Sequence, residues 1–364
     1  MFLDFFKLLQ EDKDNFVYSP VSLATAFAIL YEGADGEAKE ELKNIFGFND
    51  GEDVVKWFKE LSVRINSLDE TELSLLNSFW LVSENKLKEA FGTYIEEHCD
   101  KVVLGELDLK KVRDGVNAFS NKATNGKIPT IIDFDLTEGT RFVITNSIYF
   151  KSVWKQPFKP CDKKISFTNL SGEQSEVDMV KAYILEERAF SSDFMFGGID
   201  VVSIPYKNGV TYMSFLVPRK EYKNDNMFCA LKALINGTFS NWAHTANINI
   251  TMPEFKLETY VDSENMNGYM KALGATSMYN HTLYPLKNIY EEEPLMVDKV
   301  LHKAIVEVNR NGTEAAATTA ITGISGCSAP ALPEELDITL NKPFVFVLHT
   351  YNGVPLMIGR VTNL

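Results

Sequence analysis

Apolar residues in the first third of the chain recur every three or four positions, which is the spacing of amphipathic helices. This pattern predicts helices in four segments: SPVSLATAFAILYEGA (19–34), DGEAKEELKNIFGF (35–48), AFGTYIEEHC (90–99) and VRDGVNAFSNKATNGK (112–127). In the first segment, Leu23, Ala26, Phe27 and Leu30 would share one apolar face, and Gly33 would form the C-cap. The N-terminal part of the chain is therefore expected to be largely helical.

The middle and the end of the chain carry the patterns of β-strands. The segments 73–83 and 141–154 are continuous apolar runs, as expected of strands that are buried on both faces. The segments 202–218 and 343–361 each contain two runs around an Asn-Gly pair, which is a strong hairpin signal. Large antiparallel or mixed sheets together with these helices predict an α+β fold.

Composition and charge limit the function classes. The chain has 364 residues, 45% of them hydrophobic and 24% charged, and no linker or internal repeat, so residues 1–364 are predicted to form a single domain. The net charge of −14 and the pI of about 5.0 argue against nucleic acid, acidic membrane surfaces and heparin-type polyanions as partners. The four cysteines are widely scattered and are interpreted as free thiols, with no metal site expected.

Motifs for catalysis are missing from the sequence. It contains no Gly-x-Ser-x-Gly elbow, phosphate-binding loop, His-Glu-x-x-His motif or dinucleotide fingerprint. The triplet His98-Cys99-Asp100 is interpreted as a helix end with a buried thiol, because adjacent residues of a helix point in different directions. The chain is therefore predicted not to be an enzyme and to need no cofactor.

The segment RNGTEAAATTAITGISGC (310–327) fits neither an ordinary loop nor an ordinary strand, because it is nearly uncharged and rich in small residues. If it formed a strand, one face would carry these residues: Thr313, Ala315, Ala317, Thr319 and Ile321. Such side chains are small enough to enter an existing core without overpacking it, while the opposite face tolerates water. The segment could therefore be exposed in one state and a central strand in another.

The region VLHKAIVEVNRNGTEAAATT (300–319) closely resembles the hinge of the serpins, the serine protease inhibitor superfamily. Further serpin-like motifs follow in the family's order along nearly the whole chain: NFVYSPVSLATAF, NGKIPTII, FVITNSIYFKSVWKQPF, VVSIPY, MPEFKL and NKPFVFVLHTYNGVPLMIGRV. The resemblance implies a serpin fold with three β-sheets, about eight or nine helices and an exposed reactive centre loop at about 310–336.

The resemblance also implies suicide-substrate inhibition of a serine endopeptidase. The protease would attack the loop and form an acyl-enzyme, and the cleaved loop would insert into the main sheet and carry the protease with it. The inhibitory hinge pattern is matched by seven residues: Gly312, Thr313, Glu314, Ala315, Ala316, Ala317 and Thr318. The alternatives are inhibition of a cysteine protease and a non-inhibitory storage, chaperone or carrier serpin.

The same resemblance implies that residues outside the loop control sheet opening. Ser19, Asn146 and His302 match a polar cluster beneath the opening sheet, and Trp154 matches an aromatic residue near the insertion point. Ser22 matches a position near this cluster, where it could serve only as a cap or a packing residue.

One pair departs from the family's pattern. Two residues before the hinge glycine the family usually carries Glu, which pairs with a Lys on the neighbouring strand, whereas this chain has Arg310 and Glu254. We predict that the ion pair is retained with its charges exchanged. The alternative is two unrelated surface charges, which would contribute little to stability.

The reactive bond is located by counting along the loop. The family's usual spacing from the hinge gives Gly326-Cys327, whereas counting back from NKPF leads nearer to Leu332. The hinge count is preferred, since the mechanism constrains the length of inserted chain. The window around the bond contains these residues: Ile324, Ser325, Ser328, Ala329 and Leu332.

The loop also restricts the partner. No Lys or Arg occurs between Thr313 and Asn341, so elastase-like or chymotrypsin-like proteases are favoured over trypsin-like ones. The expected assembly is a monomer that forms a covalent acyl complex with its target serine protease and is able to form loop–sheet polymers. Residues 1–15 show no signal peptide, which favours a cytoplasmic or leaderless protein; an extracellular one is the alternative.

Overall fold

The computed structural model describes residues 2–49, 51, 53–68, 70–238, 243–290, 295–297, 299–313 and 334–364. The α-helices in these ranges are α1 (Phe2–Asp12), α2 (Pro20–Gly33), α3 (Gly36–Phe46), α4 (Val54–Asn66), α5 (Glu89–His98), α6 (Leu109–Ala123), α7 (Asn224–Ile235) and α8 (Ser263–Ala272). Each of the four segments predicted as helical overlaps one of them, although α5 and α6 begin one and three residues before the predicted segments. Among the described helices, none is long and apolar enough to cross a membrane.

The strands of the described ranges follow the predicted runs. They are β1 (Phe16–Tyr18), β2 (Thr71–Leu81), β3 (Lys101–Val103), β4 (Phe142–Val153), β5 (Lys159–Pro160), β6 (Ile165–Thr168), β7 (Gln174–Val177), β8 (Met179–Ser192), β9 (Ile199–Pro205), β10 (Thr211–Pro218), β11 (His244–Pro253), β12 (Phe255–Val261), β13 (Lys299–Asn309), β14 (Gly312–Thr313), β15 (Glu334–Thr339), β16 (Phe344–Thr350) and β17 (Pro355–Val361). The two Asn-Gly turns connect β9 to β10 and β16 to β17, and both pairs are antiparallel, as predicted.

The strands form three sheets, which agrees with the predicted α+β fold. The largest has the order β1-β17-β16-β10-β9-β8-β11-β15, with β5 also paired to β8. A six-stranded sheet has the order β12-β13-β14-β4-β2-β3, and β6 and β7 form a separate hairpin. Aromatic and aliphatic residues of the six-stranded sheet, such as Phe150 and Val306, pack against Phe346 and its neighbours in the largest sheet. The two large sheets therefore share one core.

The six-stranded sheet has an unusual centre. Strands β13 and β4 pair directly and in parallel from Lys299↔Val143 to Ala304↔Ile148. Beyond that stretch, the short strand β14 lies between them and is antiparallel to both. A single ladder of backbone hydrogen bonds therefore joins the two halves of the sheet where β14 ends.

Helix α2 is not the one-faced helix that its pattern predicted. Every residue of α2 except Glu32 is buried, because β17, β4, α3 and α4 pack around it. Gly33 is the last helical residue, and the C-cap is Ala34, which has an extended backbone. The four residues predicted to share an apolar face are buried, but so is the rest of the helix apart from Glu32, and the prediction that Gly33 forms the C-cap is wrong. Ser19 is the N-cap and accepts a hydrogen bond from the backbone N–H of Ser22 at 3.1 Å.

Candidate functional site

The hinge strand β14 lies at one end of the seam between β13 and β4. Thr313 pairs with Val308 on one side and with Ser152 on the other. Its side chain is fully buried. An exposed loop was expected from about residue 310, and this expectation is wrong at Thr313. The first residues of the loop are already part of the sheet because both neighbouring strands bind them.

Gly312 is required by the close approach of β4. A Cβ atom at this position would overlap the carbonyl oxygen of Ser152 and lie 2.7 Å from the Cα of Val153. The φ angle of 154° is also one that other residues rarely adopt. The glycine of the hinge motif therefore has a direct steric reason.

Two stacked aromatic residues support the hinge. The indole N–H of Trp154 donates to the carbonyl of Asn309 at 2.9 Å, and its backbone N–H donates to the carbonyl of Asn311 at 2.9 Å. The ring of Tyr206 stacks on Trp154 with centroids 4.4 Å apart. The hydroxyl oxygens of Tyr206 and Thr313 are 2.5 Å apart. The position of Trp154 was anticipated from the sequence, whereas Tyr206 was missed although it belongs to the quoted motif VVSIPY.

Arg310 and Glu254 form the predicted contact. The guanidinium donates through Nε at 3.1 Å and Nη2 at 3.0 Å, and the backbone N–H of Arg310 donates to the same carboxylate at 2.8 Å. Burial disfavours the ionised carboxylate, but these bonds outweigh it and hold the pKa of Glu254 below its usual value. The pair fastens the turn after β13 to the junction of β11 and β12.

Glu254→Ala is expected to lower the free energy of unfolding by less than about 1 kcal/mol, since both side chains are partly exposed and screened by solvent. The double reversal Arg310→Glu with Glu254→Arg should recover only part of this loss. It restores the side-chain attraction but not the acceptor of the backbone N–H at position 310. Urea denaturation of the three proteins measures both values. Equal stability of Glu254→Ala and the parent would contradict the prediction.

A buried polar cluster lies beneath the seam and brings together Ser19, Asn146 and His302 with the nearby Ser22. The backbone N–H of Ser19 donates to Nε2 of His302 at 3.4 Å, and Nδ1 of His302 lies 3.1 Å from Oδ1 of Asn146. The Ser22 hydroxyl donates to the same oxygen of Asn146. Ser19 donates its hydroxyl to the carbonyl of Leu356 at 2.7 Å, which ties the cluster to the largest sheet. Ser22 therefore does more than cap or pack.

Two members of this cluster were missed from the sequence. Nδ2 of Asn146 donates to Oδ1 of Asn77 at 2.7 Å, and the Thr25 hydroxyl lies 3.4 Å from the same oxygen. Asn77 and Asn146 are direct partners in the β2–β4 register. The sequence did contain a signal for Asn77. Asn77 and Asn146 are polar residues within apolar strand segments, and a buried amide needs a hydrogen-bond partner.

His302 is neutral in this environment. Complete burial removes the solvation of an imidazolium and lowers the pKa of His302 from 6.5 to about 3. The hydrogen bonds favour the tautomer with the proton on Nδ1, which donates to Asn146, while Nε2 accepts from Ser19. Protonation of Nε2 would place two donors opposite each other.

The remaining predicted site residues lie outside the described part of the chain. They are the hinge residues Glu314, Ala315, Ala316, Ala317 and Thr318, and the reactive-bond window with Ile324, Ser325, Gly326, Cys327, Ser328, Ala329 and Leu332. Within the described residues, no group of three His, Cys, Asp or Glu side chains could hold a metal ion.

Comparison with known proteins assigns the chain to a protein family. The model of the family described as Serpin (serine protease inhibitor) matches residues 2–364. The chain belongs to the serpin family. The description of the family is that of serine protease inhibitors. One curated relative is the human (Homo sapiens) leukocyte elastase inhibitor. It is 28% identical over 389 residues, and the match covers 99% of this chain and 97% of the relative.

Solved structures confirm the serpin fold. The crystal structure of Serpin48 from the insect Tenebrio molitor matches with a TM-score of 0.81 at 24% identity, over all of this chain and 96% of that one. Human thyroxine-binding globulin in complex with its hormone matches with a TM-score of 0.82 at 20% identity, over 99% and 95% of the two chains. The same fold therefore occurs in a serpin described as highly specific and in a thyroxine-binding protein.

Proposed function

We propose that this serpin is a suicide-substrate inhibitor of serine endopeptidases. The hydroxyl of the protease serine attacks the carbonyl carbon at the reactive bond, proposed as Gly326-Cys327. The peptide bond breaks, the new amino group of Cys327 takes up a proton, and Gly326 is left as an ester on the protease. Insertion of the cleaved loop between β13 and β4 then distorts the protease before water hydrolyses this ester.

The observation that carries this proposal is the register of β14. Thr313 lies between Val308 and Ser152, whose numbers differ by 156. The directly paired residues further along the seam, Ala304 and Ile148, also differ by 156. A chain that continues from Thr313 would therefore enter between residues that are already partners, without any shift of either strand.

This register gives each inserted residue a place. Ala317 would lie between Ala304 and Ile148, which are both fully buried, so only a small side chain fits there. Thr319 would lie between His302 and Asn146, where its hydroxyl could bond to the polar cluster. The alternation of small residues in the sequence supports the insertion of this segment.

The proposed target is an elastase-like or chymotrypsin-like protease. The loop offers no basic residue to the acidic pocket of a trypsin-like enzyme. The name of the human relative, a leukocyte elastase inhibitor, points to the same class. Small residues around Gly326 suit the small specificity pocket of an elastase-like enzyme, whereas the hydrophobic slot of a chymotrypsin-like enzyme would take a larger apolar residue of the window such as Leu332.

The test is the formation of a covalent complex. The protein is incubated separately with pancreatic elastase, chymotrypsin, trypsin and papain, and complexes that survive denaturing electrophoresis are counted. We expect a complex with elastase or chymotrypsin, together with a released C-terminal peptide that begins at Cys327. The control is Ala317→Arg, which would bury a charge between Ala304 and Ile148 and should be cleaved without trapping the protease.

The outcomes separate the alternatives. Cleavage of the parent protein without any stable complex would overturn the inhibitory function and favour a storage, chaperone or carrier role. A stable complex only with papain would replace the serine protease by a cysteine protease as the target.

A further inference from the structure

We propose that Tyr206 is a positioning residue for loop insertion, and that its hydroxyl holds Thr313 in the sheet before any protease arrives. This inference rests on the proposed function, since it concerns the step that begins insertion. Tyr206 lies outside the loop, directly after β9, and forms an isolated β-bridge with Trp154.

The contact between Tyr206 and Thr313 is direct, buried and short. Tyr206 and Thr313 are both fully buried, and their hydroxyl oxygens are 2.5 Å apart. Burial raises the pKa of Tyr206, so the phenol keeps its proton at every ordinary pH. One of the two hydroxyls donates and the other accepts, so both groups are satisfied inside the core.

The ring of Tyr206 is held in place by its neighbours. It stacks on Trp154 at 4.4 Å and meets the edge of Phe150 at 5.3 Å. The backbone N–H of Tyr206 donates to the carbonyl of Thr211 at 3.0 Å. The hydroxyl therefore points to a fixed place between β13 and β4, and Thr313 finds its partner there without reorganisation.

The direction of the effect follows from the two states of the hinge. The contact exists only when Thr313 is in the sheet, so it favours the inserted hinge over a released one. Loss of one neutral hydrogen bond shifts such an equilibrium by roughly five-fold. A released hinge must first return to the seam before the loop inserts, so insertion after cleavage should slow by up to that factor.

The first experiment needs no protease. Hydrogen exchange of the backbone amides at residues 309–313 is compared in the intact parent and in Tyr206→Phe, which keeps the stacked ring. We expect exchange to become roughly five-fold faster. The matched control is Tyr18→Phe, which removes another fully buried phenol hydroxyl with a 2.5 Å bond, to the carbonyl of Phe2, far from the hinge in the sequence. The control should leave exchange at the hinge unchanged.

The second experiment measures the stoichiometry of inhibition, the number of inhibitor molecules consumed per protease trapped. If insertion is slower, more of the acyl-enzyme is hydrolysed before the protease is trapped. The stoichiometry of inhibition should therefore be higher for Tyr206→Phe, and the amount by which it exceeds one should rise by up to about five-fold. Thr313→Val should act in the same way. The double variant should be no worse than either single variant, because both remove one contact.

The outcomes of the two experiments are distinguishable. If the parent traps no protease, the proposed function fails, while faster hinge exchange in Tyr206→Phe would still support the contact. If the parent traps protease but Tyr206→Phe matches it in both exchange and stoichiometry, the role of Tyr206 is overturned. Multiplied effects in the double variant would also overturn it.

Discussion

Cleavage of the loop between residues 320 and 332 is expected to raise the melting temperature of this serpin by roughly 20 °C. In the intact protein, one ladder joins β13 to β4 over the six pairs from Lys299↔Val143 to Ala304↔Ile148. An inserted strand replaces this ladder by two. About a dozen additional backbone hydrogen bonds at about 1 kcal/mol each stabilise the cleaved protein by on the order of 10 kcal/mol, and each kcal/mol corresponds to about 2 °C for a chain of this size.

The measurement is a thermal melt by circular dichroism before and after limited cleavage. Ala317→Arg serves as the control, because a buried guanidinium between Ala304 and Ile148 would oppose insertion. The variant should be cleaved at the same bond and show almost no rise. An unchanged melting temperature of the cleaved parent would mean that the loop does not enter the seam, and the inhibitory function would lose its physical basis.

The sequence predicts well those features that depend on local patterns. The two Asn-Gly hairpins and the apolar strand β4 are encoded within a few neighbouring residues. The pair of Arg310 and Glu254 is 56 residues apart, and it was predicted through the resemblance to serpins, which usually carry a pair of opposite charges at these two positions.

Features that depend on distant packing were not accessible. Helix α2 carries large apolar residues such as Ile29 and Tyr31 outside the face predicted from the sequence, and the surrounding strands and helices bury every residue of the helix except Glu32. The contact of Tyr206 with Thr313 joins residues separated by 107 positions. Asn77 was visible as a polar residue in an apolar run, yet nothing local identified Asn146 as its partner. These contacts depend on how distant strands and helices pack and pair, which no local pattern specifies.

Acid is expected to destabilise the intact protein through His302. Its pKa is about 3 in the folded protein and about 6.5 when unfolded, so below pH 6.5 the unfolded state binds a proton that the folded state does not. Stability is therefore complete above pH 6.5 and is lost as the pH falls towards 3. The loss is about 1.4 kcal/mol per pH unit, which gives about 2 kcal/mol at pH 5.

The location of His302 makes this loss relevant to the sheet. His302 and Asn146 are direct partners across the β13–β4 ladder, the ladder that must open for insertion. A proton on Nε2 would oppose the backbone N–H of Ser19 and deprive it of its acceptor. Acid should therefore weaken the polar cluster that joins the seam to helix α2. The seam is the place where a loop from the same or another molecule would enter.

The test compares the parent with His302→Gln in urea at pH 7 and pH 5. The variant has no titratable group at this position. Between pH 7 and pH 5, the free energy of unfolding of the variant should therefore decrease by about 2 kcal/mol less than that of the parent. His349, whose pKa burial also lowers, remains in both proteins and cancels in the comparison. An equal loss in parent and variant would show that His302 is not the source of the acid sensitivity. A smaller loss in the variant would identify one buried imidazole as the group through which pH acts on the seam.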